Sequence, residues 1–278
     1  MRKVQEEFGL HDLAIEDALC AHQRPKLETY GDSLFIVVKT AQWGENDEIE
    51  YGETHFFVGK NFLVTVRHGA SPSYAPIRAK AEENRKQMCR GPGFALYSVL
   101  DFVVDNYRSV VTRFESTIEN IEANMFQSEF DQAAIENVYT LRRHLLALRN
   151  AALPMDEICN QLIRLHEEVI PKELRAYVRD VQDHAHQVVS NIDDMREMLT
   201  NAMHVNLALV TVKQNEVVKR LAGWGAILAI PTVIFSLYGM NFADMPELKF
   251  PWAYHATLGV TAVGCIFLYQ KLKKSGWL

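Results

Sequence analysis

Apolar and polar positions change their period along the chain, and the changes mark the elements. Residues Leu10 to Leu19 alternate at helical spacing. Ser33–Trp43, Ile49–Val58 and Asn61–Arg67 then read as three strands rich in β-branched and aromatic residues. Their links, Gly44-Glu45-Asn46-Asp47 and Gly59-Lys60-Asn61, are short and polar, so the strands are expected to pair antiparallel. Three strands make a thin sheet that needs a helical layer over one face. From Ser73 onward the pattern is helical. Phe94 to Met125 repeats apolar residues at three and four (Leu96, Val99, Leu100, Val103, Tyr107, Val110), and Asp131 to Leu153 continues the pattern. Pro154 is expected to break that helix and Pro171 to open the next. After Pro171 no proline occurs before Pro231 and no glycine before Gly223. That predicts a helix of some 70 residues, roughly 105 Å long. It cannot fold back into a globule and implies a stalk packed on other helices.

Two uncharged apolar segments close the chain: Leu221–Tyr238 and Trp252–Gln270, the second interrupted only by His255. Each spans about 27–29 Å as a helix, close to the hydrocarbon thickness of a bilayer, so a two-helix membrane hairpin is predicted. Lys213, Lys219 and Arg220 precede the first span, and Lys271, Lys273 and Lys274 follow the second, whereas the loop carries only Lys249 beside Asp244 and Glu247. The positive-inside rule then places both termini in the cytoplasm. Two spans cannot enclose a water path, so conduction would require several copies around an axis. The first span offers a stripe for it, because Asn215, Val218, Leu221, Gly225, Ala229, Thr232 and Ser236 recur at helical spacing. Close helix packing would favour the same small residues, so periodicity alone leaves both readings open. Pro231 leaves the carbonyl of Ile227, four residues earlier, in need of another partner.

Composition narrows the function. A net charge of −6 argues against nucleic acid as a partner and suits small cations. The four cysteines are far apart with no C-x-x-C pair, which disfavours a disulfide framework or a structural zinc site. Five acids among the first 20 residues leave no signal-peptide core. His184 and His186, two apart on a helix, point to different faces and read as surface histidines. With no phosphate loop, no nucleophile elbow and no metal constellation in view, an enzyme is not expected and no cofactor is called for.

The loop carries the most specific signal. Tyr238-Gly239-Met240-Asn241 followed by Met245-Pro246-Glu247-Leu248 resembles the signature of the CorA family of magnesium and cobalt transporters. Phe8-Gly9-Leu10-His11, Ile15-Glu16-Asp17, His22-Gln23-Arg24-Pro25-Lys26, Arg179-Asp180-Val181 and Asn215-Glu216-Val217 extend the resemblance along the whole chain. It implies a funnel-shaped homopentamer whose first membrane helix lines a pore through Asn215, Val218, Leu221, Gly225, Ala229, Thr232 and Ser236. Gly239, Met240 and Asn241 would form the selectivity filter, with Asp244 and Glu247 concentrating cations at the mouth. The function implied is passive influx of magnesium, with cobalt or nickel as further ions. The alternatives are a zinc transporter of the same superfamily, disfavoured by Met240, and a non-conducting helical sensor or scaffold anchored in the membrane.

The expected class is therefore α+β, a partial antiparallel sheet packed with long helices, followed by a stalk helix and a two-helix transmembrane hairpin in the inner membrane. Residues 1–90 would form an incomplete cytosolic α/β domain and 91–170 long antiparallel cytosolic helices. Residues 171–240 would be the stalk continuing into the first membrane helix, 241–251 the outer loop, 252–271 the second membrane helix and 272–278 a basic cytoplasmic tail. Family members usually begin with a longer N-terminal segment that completes the sheet. The family's regulatory cation site pairs an acid in the Glu16-Asp17 segment with a stalk Asp. Here Asp180 is present, but His204 occupies the stalk position, so magnesium feedback is expected to be weaker or shifted to other acids.

Overall fold

The computed structural model describes residues 1–44, 48–83, 89–125, 132–241 and 245–278. Two short helices, α1 (Arg2–Phe8) and α2 (Asp12–Leu19), come first. Gly9, at φ 63°, ends α1 in the left-handed region that glycine adopts without steric cost. The His11 ring accepts a hydrogen bond from the Leu13 amide and caps α2.

Four strands follow: β1 (Lys26–Tyr30), β2 (Ser33–Trp43), β3 (Ile49–Val58) and β4 (Leu63–Gly69). They pair antiparallel in the order β1-β2-β3-β4. Three strands were expected, and the additional one is β1. Its hairpin to β2 closes through Gly31-Asp32, with Gly31 at φ 59°, so the turn signal lay in the sequence. The near-continuous apolar run of β2 follows from burial on both faces. Leu34, Ile36 and Val38 point to the main core with Phe56 and Val58. Phe35 and Val37 point the other way, with Phe57, onto Leu10, Ala14, Ile15 and Ala18.

The main core is completed by long helices. After α3 (Ala75–Glu83) come α4 (Pro92–Met125), α5 (Gln132–Leu165) and α6 (Arg175–Tyr238). Tyr107, Val110 and Phe114 of α4, Leu145, Leu148 and Met155 of α5, and Val178, Val181, Ala185, Val188 and Ile192 of α6 are all buried in it. Tyr107 has no exposed surface, and its hydroxyl donates to the Lys39 carbonyl. On the sheet, Lys39 lies opposite Glu53 and Glu53 opposite His68. Glu53 is 2% exposed; it meets Lys39 Nζ at 2.6 Å and accepts the His22 amide at 2.7 Å. Burial raises the Glu53 carboxyl, but the Lys39 ammonium and the His22 amide outweigh it and hold the group below its ordinary value.

Two helix boundaries differ from expectation. Pro154 does not break a helix, for α5 runs through it. The residue whose carbonyl loses its donor, Asn150, is exposed and lines the same cavity of about 620 Å3 as Pro154, where water can take its place. Pro171 does not open α6. It begins a separate turn in which the Leu174 amide bonds the Pro171 carbonyl, one turn before Arg175. A short 3-10 segment (Pro246–Lys249) and α7 (Ala253–Lys274) end the chain.

The chain divides into two compact units, Met1–Ala202 and Met203–Leu278. Helix α6 contributes to both. Among the described helices, it alone is long and apolar enough to cross a membrane by length and composition.

Candidate functional site: a helical hairpin and an acidic cluster

Within the second unit, α6 and α7 pack antiparallel. Gly223 is buried, and a Cβ there would come 3.3 Å from Leu278 Cγ, so a small residue admits the chain end. Trp224 and Tyr269 approach with ring centroids 6.3 Å apart. Cys265 Sγ lies 3.7 Å from the Ile227 carbonyl. Further along, Phe235, Tyr238 and Gly239 line a cavity of about 400 Å3 together with Ala253, Tyr254, Thr257 and Leu258.

This packing uses one face of α6. Gly223, Ile227, Ile230 and Ile234 are its covered or half-covered positions, with Pro231 half-covered at the edge of the face. Gly225, Ala229, Thr232 and Ser236 are exposed and lie roughly 160° around the helix from them. Asn215, Val218 and Leu221 are exposed too, Val218 at 62% and Leu221 at 73%. The expected stripe is therefore the side of α6 that α7 leaves uncovered. At Gly225 a Cβ would meet open space. The Thr232 hydroxyl donates back to the Leu228 carbonyl at 2.7 Å, which leaves its oxygen lone pairs for another donor.

Helix α6 closes at the loop signature. The Gly239 amide bonds the Phe235 and Ser236 carbonyls at 2.9 and 3.2 Å, and the Met240 amide bonds that of Leu237 at 3.3 Å. Asn241 follows outside the helix, exposed, as is Met240. Asp244 lies outside the described residues, and Glu247 falls in the 3-10 segment Pro246–Lys249.

The first unit holds a second group. Asp101 on α4 and Asp180 and His184 on α6 place one ligand atom each within 4.8 Å of one another. His184 Nδ1 is buried with no hydrogen-bond partner and stands 3.9 Å from Asp180 Oδ2. Burial, reinforced by the nearby carboxylates of Asp105 and Asp180, raises the Asp101 carboxyl above its ordinary value. Two like charges and an orphaned ring nitrogen form a set that a divalent cation would satisfy. His184 is thus more than a surface residue, whereas His186 is exposed. The signal available in sequence was the spacing of Asp180 and His184, four apart on one helix face. The other residues expected at a regulatory site are placed differently. Asp17 is paired with Lys26 Nζ at 2.7 Å, and Glu16 is exposed. His204 is exposed on the second unit.

An α+β unit is followed along the chain by a helix apolar enough to cross a membrane, with glycine, methionine and asparagine at that helix's end. Residues 1–274 match the profile of the CorA-like Mg2+ transporter proteins, and the chain belongs to that family. The cobalt/magnesium transport protein CorA of Thermotoga maritima is 31% identical over all of this chain and 80% of its own length. The protein of the same name from Methanocaldococcus jannaschii is 22% identical over 99% of this chain and 87% of its own. The complete structure of the M. jannaschii CorA magnesium transporter superposes with a TM-score of 0.86 at 23% identity. That match covers all of this chain and 87% of the other, and establishes a common fold.

Proposed function

We propose that the chain is one subunit of a passive divalent-cation channel that carries magnesium, with cobalt and nickel as further permeant ions. The observation that carries the reading is the uncovered stripe of α6, polar or small at Gly225, Ala229, Thr232 and Ser236 and ending at Gly239-Met240-Asn241. One chain cannot surround water with two helices. Five copies around an axis, as the family resemblance implies, would turn the stripe inward and leave the apolar flanks for lipid and neighbouring helices. Leu228, Val233 and Phe235, each more than half exposed in the single chain, suit that environment. Helix α7 is less apolar than the membrane-length stretch of α6, but its 22 residues carry no Asp, Glu, Lys or Arg before Lys271. In this reading it pairs with α6 as the second membrane span, with the loop outside and both termini at the cytoplasmic side of the inner membrane.

The chemistry fits a strongly hydrated ion. A ring of Asn241 side chains offers neutral oxygen acceptors, which hold magnesium through its water shell without stripping it. Asp244 and Glu247 raise the cation concentration at the mouth. Val218 and Leu221 form an apolar ring that closes by dewetting. Asp101, Asp180 and His184 serve as a control site for internal cations. Its imidazole favours cobalt or nickel over magnesium, in line with feedback shifted away from the Glu16-Asp17 segment. The test is influx into liposomes loaded with a magnesium-sensitive dye, for the parent and Asn241→Ala. Dye response from the parent and its loss in the variant support the reading. Silence from the parent favours a membrane-anchored scaffold, and an unchanged variant removes Asn241 from the filter.

A further inference from the structure

Pro231 stands inside α6 and has no amide hydrogen, so the Ile227 carbonyl loses the bond that residue 231 would give it in a regular helix. Ile227 is 9% exposed and lies on the face that α7 covers. In apolar surroundings such a carbonyl is costly unless another donor reaches it. The next carbonyl, that of Leu228, is already served by the Thr232 hydroxyl. For Ile227 the donor comes from the other helix: the free, half-buried thiol of Cys265, 3.7 Å away.

We propose that Cys265 is a positioning residue whose thiol caps the carbonyl that Pro231 opens. A thiol is a weak donor, but here it meets an acceptor whose regular helical donor Pro231 removes. The contact fixes α7 at one depth and one rotation on α6. Because Ala229 and Thr232 flank Pro231 on the uncovered stripe, it also fixes how that stripe is presented. The capping itself needs only the two helices; its consequence for ion flow rests on the channel reading above.

The test is a double-mutant cycle on the full chain in detergent micelles, with unfolding followed by SDS titration and influx measured in parallel in liposomes. In the parent background, Cys265→Ala should raise the unfolding constant about fivefold, as expected for one lost hydrogen bond at a buried acceptor. Cys265→Ser, which keeps a donor, should restore it. In a Pro231→Ala background the backbone amide of residue 231 serves Ile227, and Cys265→Ala should then change the constant by less than about twofold. Equal effects in the two backgrounds would overturn the proposal. So would a serine variant no better than alanine, a comparison that does not require the Pro231 variant to fold. Influx should follow the same pattern. Coupling in unfolding together with a silent parent would keep the cap and reject the channel.

Discussion

Replacing Asp101 with asparagine should make the cation-free protein more stable and the cation-loaded protein less so. Asp101 and Asp180 bring carboxylate oxygens within 4.8 Å of each other and of a His184 nitrogen. At that separation two unit charges repel by about 0.9 kcal/mol in the dielectric of water and about 3.5 kcal/mol at an effective constant of 20. The Asp180 side chain is 60% exposed, so the lower end applies, and the repulsion is about 1 kcal/mol. The amide keeps the shape of the carboxylate and removes the repulsion, so Asp101→Asn should gain about that much in chelator. A cation held by all three groups reverses the order. At a hundredfold excess over its Kd it stabilises the parent by about 2.7 kcal/mol, and the variant loses most of this. Melting curves of the purified full chain, in chelator and in millimolar cobalt chloride, should therefore cross. A variant that melts below the parent in chelator would refute the electrostatic part of the reasoning. An equal cobalt-induced shift in both would refute the ligand assignment.

Other expectations follow from the first unit. Glu53→Ala strips a buried partner from Lys39 and the His22 amide, and should cost about 3–5 kcal/mol in chemical unfolding. A loss below about 1 kcal/mol would show that water reaches the site. Burial lowers the His55 pKa from an ordinary 6.5, so the native state holds a neutral ring that the unfolded chain protonates. Its contribution is present above that value and fades as pH falls below it, with a slope of at most about 1.4 kcal/mol per pH unit. His55→Leu should flatten the stability profile in that window, and an unchanged profile would remove His55 as its source. Arg149 bonds Asp193 through two nitrogens and holds that carboxyl below its ordinary value of 3.8. The stability this pair gives is present above that value and lost as pH falls through the depressed one. Arg149→Ala should therefore reduce stability near neutrality more than at strongly acidic pH, as denaturant titrations at the two pH values would read; equal losses at both would refute the pairing.

Much of the fold was legible because period and burial agree. Strands β2 and β3 run over the residues their apolar pattern marked, since both are buried and cannot shift register without exposing Phe35 or Phe56. Strand β1, Lys-Leu-Glu-Thr-Tyr, was missed because its half-exposed, charged residues carry no alternation. Pro154 misled because its effect is not set locally. Whether Pro154 ends a helix depends on access to solvent at Asn150, which depends on tertiary packing. On the second unit the sequence marked the stripe, but periodicity could not separate pore lining from helix packing. The packing of α7 on Gly223 and Ile227, opposite the stripe, is information only a structure holds. The acidic cluster was hidden for another reason: Asp101 and Asp180 lie on different helices. Attention to His184 and His186 also missed the pair that shares a face, Asp180 and His184.

The central claim is that water and cations pass along the uncovered side of α6. Cysteines placed singly at Thr232 and Ser236, and at Ile234 on the covered side, test it in liposomes with a charged, membrane-impermeant thiol reagent. Magnesium influx should be blocked in the Thr232→Cys and Ser236→Cys proteins and persist in Ile234→Cys, with the parent, which carries Cys265, unaffected. Block at Ile234→Cys with none at Thr232→Cys or Ser236→Cys would place the ion path on the other side of the helix and contradict the account.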